Sequence, residues 1–430
     1  MSADTIFALA TPQGRSGVAV IRLSGAKVPR ALFDICGKLP VERVASLLPI
    51  YSLDGEKLDT ALVLYFADGK SFTGEASAEL HLHGSPAIIS AVLNDLGARE
   101  GLRAAEAGEF TRRALENGKM DLAQVEGLSA LLEAETEVQR IQAQRVLSGA
   151  LREMADGWRS GLLSVMGQIE ALIDFSEEEI DTIDLSQLIE TNKVIENELR
   201  QEAKGVGVAE RVRSGFEVVL LGPPNAGKST LLNALAKRDV ALTSDIAGTT
   251  RDLIEVHLDL HGLPVSVVDT AGLREAENEI ESMGIERARK RAASADIRIW
   301  FDAKAIESFE TGEDILISAK SDLAGMNSEG IKVSAVTGDG IPALLDEVQA
   351  KLMGRVASVQ TATHSRHADA LLRGAKALDS ARSELEVGRE RIELAAEEMR
   401  NALSALDNLI GSVGVEDVLG EIFSNFCIGK

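Results

Sequence analysis

The stretch EVVLLGPPNAGKSTLLNAL, residues 217–235, decides how this chain folds. Its centre, Gly222-Pro223-Pro224-Asn225-Ala226-Gly227-Lys228-Ser229, fits the pattern G-x-x-x-x-G-K-[ST]. The apolar run before it suits a buried parallel strand, and Leu231–Leu235 after it begins a helical pattern. In that context the glycines let backbone N–H groups wrap phosphates, and the helix N-terminus adds partial positive charge. Lys228 is expected to reach the β- and γ-phosphates and Ser229 to ligate Mg²⁺ through its hydroxyl. Asn225, Ala226, Gly227 and Thr230 complete the phosphate-binding run.

Further elements follow in the order of a GTPase. Asp269-Thr270-Ala271-Gly272 ends an apolar strand, so Asp269 can hold the Mg²⁺ shell through water while the Gly272 N–H senses the γ-phosphate. Upstream, Ser244-Asp245-Ile246-Ala247-Gly248-Thr249-Thr250 precedes a hairpin, and Thr250 can complete the metal shell. Ala319-Lys320-Ser321-Asp322 stands where a guanine-reading N/T-K-x-D belongs. A carboxylate there accepts two N–H bonds from guanine that adenine cannot offer, a strong form of discrimination. Ser334-Ala335 packs against the base from the other side. Two positions depart from the pattern. Leu273 replaces a water-orienting glutamine, and Ala319 replaces the Asn or Thr that braces the base-reading loop. Asp322 is therefore expected to select guanine with reduced affinity or discrimination.

Working outward, residues 215–355 read as an α/β domain: strand candidates at 217–221, 297–301, 314–318 and 331–333, and a hairpin joining 253–260 to 264–268 through His261-Gly262. It interrupts a helical texture covering 119–214 and resuming at 356–430. Leu128, Leu131, Leu132, Ala134 and Val138 keep one helix face, as do Leu371, Leu372, Ala375 and Leu378. Two distant helical segments predict one bundle with the α/β domain inserted. Residues 1–118 mix short strands (18–23, 61–66, 79–83) with turns, an α+β domain. The whole is 430 residues with 45 basic and 68 acidic side chains, a net charge of −23. Such acidity argues against autonomous, non-specific nucleic-acid binding. No apolar run suits a membrane span, and the N-terminus does not read as a secretory signal. Two cysteines, Cys36 and Cys427, fit a reducing, cytoplasmic compartment.

These motifs, with DTIFALATPQGRSGVAVIRLSG at 4–25, DIAGTTRD at 245–252, DTAGLRE at 269–275 and the terminal FCIGK, resemble the MnmE (TrmE) family of tRNA uridine-34 modification GTPases. The similarity runs from Asp4 to Lys430, weakest at Ala319 and between about 303 and 316, where the chain looks short. The resemblance implies a homodimer with an N-terminal tetrahydrofolate-binding domain, a helical domain and an inserted G domain. It implies work with the flavoprotein MnmG (GidA), which carries FAD and uses NADH, on tRNA held mainly by that partner. Together they add an aminomethyl or carboxymethylaminomethyl group to C5 of uridine 34. The carbon donor is 5,10-methylenetetrahydrofolate, and 5-formyltetrahydrofolate is a ligand of the same class. By matching motif, folate contacts fall on Arg22, Glu79, Lys119 and Lys430. Potassium replaces an arginine finger, held by Asn225, Ser244, Ile246 and Thr249, and Glu281 orients the attacking water, so Glu281 and Lys228 are the catalytic pair. Cys427 matters for modification in the family.

Other features read more plainly. His81 and His83 on one strand face could be half a metal site, but a solvated or pterin-facing edge fits better. The basic run Arg287, Arg289, Lys290, Arg291 reads as an exposed helix face, and the acids from Glu177 to Asp184 as a solvated helix end. The CIGK tail is a poor prenylation signal. Two alternatives stand beside the main reading: a ribosome-assembly GTPase, and a folate-binding scaffold with a decayed G domain.

Overall fold

The computed structural model describes residues 4–174, 183–238, 240–242, 255–269, 289–303, 306, 313–323, 329–356, 360–411, 423 and 429. The chain forms two compact units, residues 1–129 with 410–430, and residues 130–409.

The first unit is built on a six-stranded sheet of order β3-β4-β5-β2-β1-β6, from β1 (Thr5–Leu9), β2 (Val18–Ser24), β3 (Ser46–Tyr51), β4 (Lys57–Phe66), β5 (Ser77–His83) and β6 (Leu102–Ala104). Only β1 and β6 pair in parallel. Alternation puts Ile21, Leu23, Ala61, Val63, Leu80 and Leu82 on one face, buried with residues of α1 (Val28–Cys36) and α2 (Pro86–Ala98). The expected strands are present and longer than read, while β1, β3 and β6 were not anticipated. Burial pushes the Cys36 thiol up to about 11 despite Arg99, leaving it an inert core group.

Helix α3 (Glu109–Glu116) starts with a buried carboxylate. Glu109 accepts from Arg103 at 2.6 and 2.8 Å, from Arg113 at 3.0 Å and from the Glu106 amide at 2.9 Å. Burial opposes its ionisation, but these donors win and hold its pKa at about 2, below the usual 4.5. A depressed pKa gives stability that is complete above about pH 4.5 and disappears as pH falls toward 2. Acid unfolding of this unit, followed by circular dichroism, is expected to begin at higher pH in Glu109→Gln.

In the second unit, α6 (Ala150–Asp174) and α7 (Leu185–Ser214) pack with α10 (Ser365–Val387) and α11 (Ile392–Leu409), so the distant helical segments do form one bundle. Its core includes Leu162, Ile169, Leu199, Leu371, Leu378, Met399 and Leu406, each large side chain contributing about 1.5–3 kcal/mol by burial. Glu202, buried on α7, accepts the Thr361 and Ala362 amides at 2.6 and 2.7 Å, fastening the chain where it returns to the bundle. Asp184 is the N-cap of α7, its carboxylate held below the usual range by the Ser186 hydroxyl and amide; residues 177–182 lie outside the described residues.

Two helical expectations need correction. The face running from Leu128 to Val138 is broken: α4 (Leu122–Glu133) stops, and Thr136 caps α5 (Glu137–Leu147) in a reciprocal box with Gln139. Local T-x-x-Q capping overrides the apolar spacing there. Leu372, read as in phase with the core, is 47% exposed.

The inserted domain has sheet order β12-β11-β10-β7-β9-β8. Its strands are β7 (Phe216–Leu221), β8 (Glu255–Leu260), β9 (Leu263–Asp269), β10 (Ile297–Trp300), β11 (Glu313–Ala319) and β12 (Ile331–Val333). All pair in parallel except the β8–β9 hairpin. His261 and Gly262 turn that hairpin with φ of 53° and 91°, the pair of positive values a two-residue I′ turn needs. Helices α8 (Lys228–Ala236) and α9 (Ile341–Val356) supply core residues against the sheet. Among the described residues no helix is long and apolar enough to cross a membrane.

Candidate functional site

Strand β7 ends at Leu221, and Gly222–Gly227 carries the chain into α8. Gly222 has φ 156°, and a Cβ there would lie 2.7 Å from the Phe301 Cβ, so only glycine fits. Gly227 has φ 106° and opens the helix. Asn225 also adopts the left-handed region, at φ 60°, which asparagine tolerates better than most residues. The loop thus presents α8's free N–H groups at the carboxyl ends of the parallel strands, where open α/β sheets bind ligands.

Lys228 is buried, and its Nζ donates to the Gly222 and Pro223 carbonyls at 2.9 Å each. Ser229 Oγ donates to Asp269 Oδ2 at 2.5 Å. The two groups expected around Mg²⁺ are therefore in direct contact. A hydroxyl and a 1% exposed carboxylate are hard oxygen donors that suit this ion. Thr230 lies on the exposed side of the first turn of α8.

The loop at 320–322, expected from its sequence to read the base, follows β11. Lys320, at φ 59°, sends its Nζ to the Asn225 carbonyl at 2.9 Å, tying this loop to the phosphate loop. Asp322 accepts from Ser334 Oγ at 2.7 Å, and the same Oγ accepts the Thr337 amide at 3.2 Å. Ser334 is fully buried, and Ala335 is half-buried beside it. Ser334 thus orients the carboxylate, a role the sequence reading missed because 12 residues separate the two. Lys320 as a tether was missed too. Ala319 has no side chain able to brace the loop.

Residues Ser244, Asp245, Ile246, Ala247, Gly248, Thr249, Thr250, Thr270, Ala271, Gly272, Leu273, Glu281, Cys427 and Lys430 lie outside the described residues.

In the first unit, β2 and β5 pair so that Arg22 and Glu79 are direct neighbours. Their ion pair measures 3.0 Å, and the guanidinium lies 6.0 Å from the Phe72 ring centre and 5.9 Å from that of Phe110. Lys119 Nζ donates to the Gly69 carbonyl at 2.9 Å, and its stem would touch a Cβ placed on Gly74. Arg22 and Lys119 therefore contact one loop, 69–74. His81 reaches Glu79 at 3.3 Å and His83 reaches Asp59 at 2.8 Å. Burial works against ionisation of Asp59, yet the His83 amide and ring and the Thr60 amide hold its carboxyl below the ordinary range. Neither histidine joins a three-ligand cluster among the described residues.

The comparisons with known proteins bear on both units. Residues 5–119 match the family model for the GTP-binding protein TrmE N-terminus, and residues 122–427 match that of the MnmE helical domain. A tRNA modification GTPase MnmE from Cereibacter sphaeroides is 50% identical over 99% of this chain and 100% of its own length. One of the same name from Roseobacter denitrificans is also 50% identical with the same coverage. Among solved structures, the FeoB G-domain from Methanococcus jannaschii is 25% identical, with a TM-score of 0.24 over 32% of this chain and 98% of that one. A phosphate loop set in an α/β insert, a bundle closed by distant helices, and relatives half-identical from end to end converge: the chain belongs to the MnmE (TrmE) family of tRNA modification GTPases.

Proposed function

We propose that this chain is a potassium-dependent GTP hydrolase whose cycle serves modification of the wobble uridine of tRNA. It acts in the cytoplasm as a homodimer with the flavoprotein MnmG (GidA), which brings FAD and NADH. The product carries an aminomethyl or carboxymethylaminomethyl group at C5 of uridine 34, with methylenetetrahydrofolate as carbon donor. The observation that carries this reading is the convergence of Lys228, Ser229, Asp269 and the Lys320–Asp322 loop on one end of the sheet.

The residues divide the work. Lys228 exchanges two neutral carbonyls for phosphate oxygens, turning contacts to its own loop into charge-assisted ones. Ser229, Thr250 and, through water, Asp269 hold Mg²⁺, which neutralises charge on the phosphates when bound. Asn225, Ser244, Ile246 and Thr249 hold the potassium ion. Thr270, Ala271 and Gly272 follow the γ-phosphate, and Glu281 orients water. Asp322, held by Ser334, reads guanine. Arg22, Glu79, Lys119 and Lys430 bind the folate, and opening and closing of paired G domains carries the cycle forward.

Asp322→Asn is expected to lose most of the preference for GTP over ATP in competition binding. Ser334→Ala, which releases the carboxylate, should weaken that preference by about 1 kcal/mol. Unchanged selectivity in Asp322→Asn would remove this residue from base reading.

GTP turnover by the purified chain in potassium and in sodium, at equal ionic strength, tests the whole. Strong stimulation by potassium is expected. Slow turnover indifferent to the cation, with GTP still bound, would overturn the potassium mechanism and favour a folate-binding scaffold.

A further inference from the structure

The basic run that reads as an exposed helix face divides in the structure, Arg287 lying outside the described residues. Arg289 and Lys290 are exposed, but Arg291 is half-buried and bonded to both ends of a charged bridge. Its guanidinium donates to Glu217 at 3.1 and 3.3 Å, and to Glu255 at 3.4 Å. Glu255 stands opposite Val268, the residue before Asp269, so this arm of the bridge lies beside the nucleotide site.

At the other arm is Asp296, 6% exposed, just beyond the helical residues 289–294. Asp296 and Glu217 exchange hydrogen bonds: the Glu217 amide donates to the Asp296 carboxylate at 2.9 Å, and the Asp296 amide to the Glu217 carbonyl at 2.9 Å. The same carboxylate meets Arg211, in the last turn of α7, at 3.4 Å and Arg355, in the last turn of α9, at 3.2 Å. Arg211 also donates to the Ser294 carbonyl at 3.0 Å. Helix α7 ends at Ser214 and β7 begins at Phe216, while α9 ends at Val356 shortly before the return to the bundle. Both crossings between insert and bundle are thus pinned to one buried carboxylate. An isolated exposed ion pair would do little; a buried carboxylate facing two arginines is different, because loss of its partners leaves an uncompensated charge.

We infer that Asp296 is a positioning residue through which the nucleotide site and the helical bundle act on one another. The helical segment at 289–294 comes after the Asp269–Gly272 motif in sequence, and its carboxyl end feeds both crossings. A shift at Asp269 passes from its neighbour Val268 to the paired Glu255, through Arg291 to Glu217 and Asp296, and from there to α7 through Arg211 and to the return crossing through Arg355. This inference rests on the proposed role of GTP hydrolysis in tRNA modification.

The test compares two readouts in the full-length chain: GTP turnover of purified protein, and wobble-nucleoside content of tRNA from cells carrying the variant as their only copy. In Arg211→Ala/Arg355→Ala, turnover is expected to stay close to that of the unaltered chain while modification falls about 5- to 150-fold, the range of coupling between linked sites. Each single change leaves one arm and is expected to cost less than half of the logarithmic loss, a non-additivity that independent sites do not show. In the Arg355→Ala background, Arg211→Lys should recover part of the modification that the double alanine variant loses. Intact modification in the double variant overturns the inference, as does a parallel fall of turnover and modification. If the double variant does not melt cooperatively, Asp296→Asn, which keeps the shape and one acceptor oxygen while removing the charge, carries the same comparison. Failure of the unaltered chain to support modification would instead overturn the functional reading beneath it.

Discussion

Glu281→Ala is expected to bind GTP as the unaltered chain does and to hydrolyse it about 10²–10⁴-fold more slowly, the usual contribution of a group that positions or deprotonates a nucleophile. The reasoning begins at Leu273, the residue after Asp-x-x-Gly, whose hydrocarbon side chain can neither donate to nor accept from water. Some other side chain must hold the nucleophile. A cation at the phosphates stabilises charge but does not aim water, so the proposed potassium ion answers only half of the problem. Lys228→Ala gives the contrasting pattern, loss of GTP affinity as well as turnover, because the lysine is needed to hold the phosphates. Binding of a non-hydrolysable analogue together with single-turnover hydrolysis separates the two. An equal loss from Glu279→Ala, with Glu281→Ala active, would move the role by two residues.

Glu202→Ala is the largest expected loss of stability. Its carboxylate, 3% exposed, is the acceptor for two backbone amides at residues 361 and 362, themselves buried. Each buried donor left without a partner costs about 1–3 kcal/mol, so the substitution should destabilise the bundle by about 2–6 kcal/mol. Glu202→Gln keeps an acceptor and should lose less. Urea unfolding followed by the fluorescence of Trp158, which packs in this bundle and donates to Glu198 at 2.8 Å, measures both. An unchanged midpoint in Glu202→Ala would show that the return crossing is fastened elsewhere.

Legibility in the sequence followed the range of the interactions. The phosphate loop was readable because one contiguous run must supply glycines, a lysine and a hydroxyl at fixed spacing, and the surrounding strand and helix are local too. The bundle was readable because buried positions recur at helical intervals in both halves. What stayed hidden depends on register or distant pairing. Strand β1 pairs with β2 but also with β6, nearly a hundred residues on. Arg22 and Glu79 meet only because β2 and β5 align them. Ser334 becomes the support of Asp322 only once β11 and β12 lie side by side. Arg291 reads as a solvated charge until strands β7 and β8 place two carboxylates within its reach. Composition says which side chains prefer water, not which carboxylates the fold will set against an arginine.

The insertion of one domain within another also imposes an order on biosynthesis. Helices α6 and α7 leave the ribosome with their apolar faces uncovered, since their partners α10 and α11 begin only at Ser365. At about 5–20 residues per second, the intervening stretch takes on the order of ten to thirty seconds to make. During that interval the nascent chain carries a half-bundle whose complement does not yet exist, a natural client for a chaperone. The insert, whose sheet needs no strand from beyond residue 333, can close around its own core first. A nucleotide could then be seated before the bundle is sealed, making the ligand available to assist assembly as well as to be consumed afterwards.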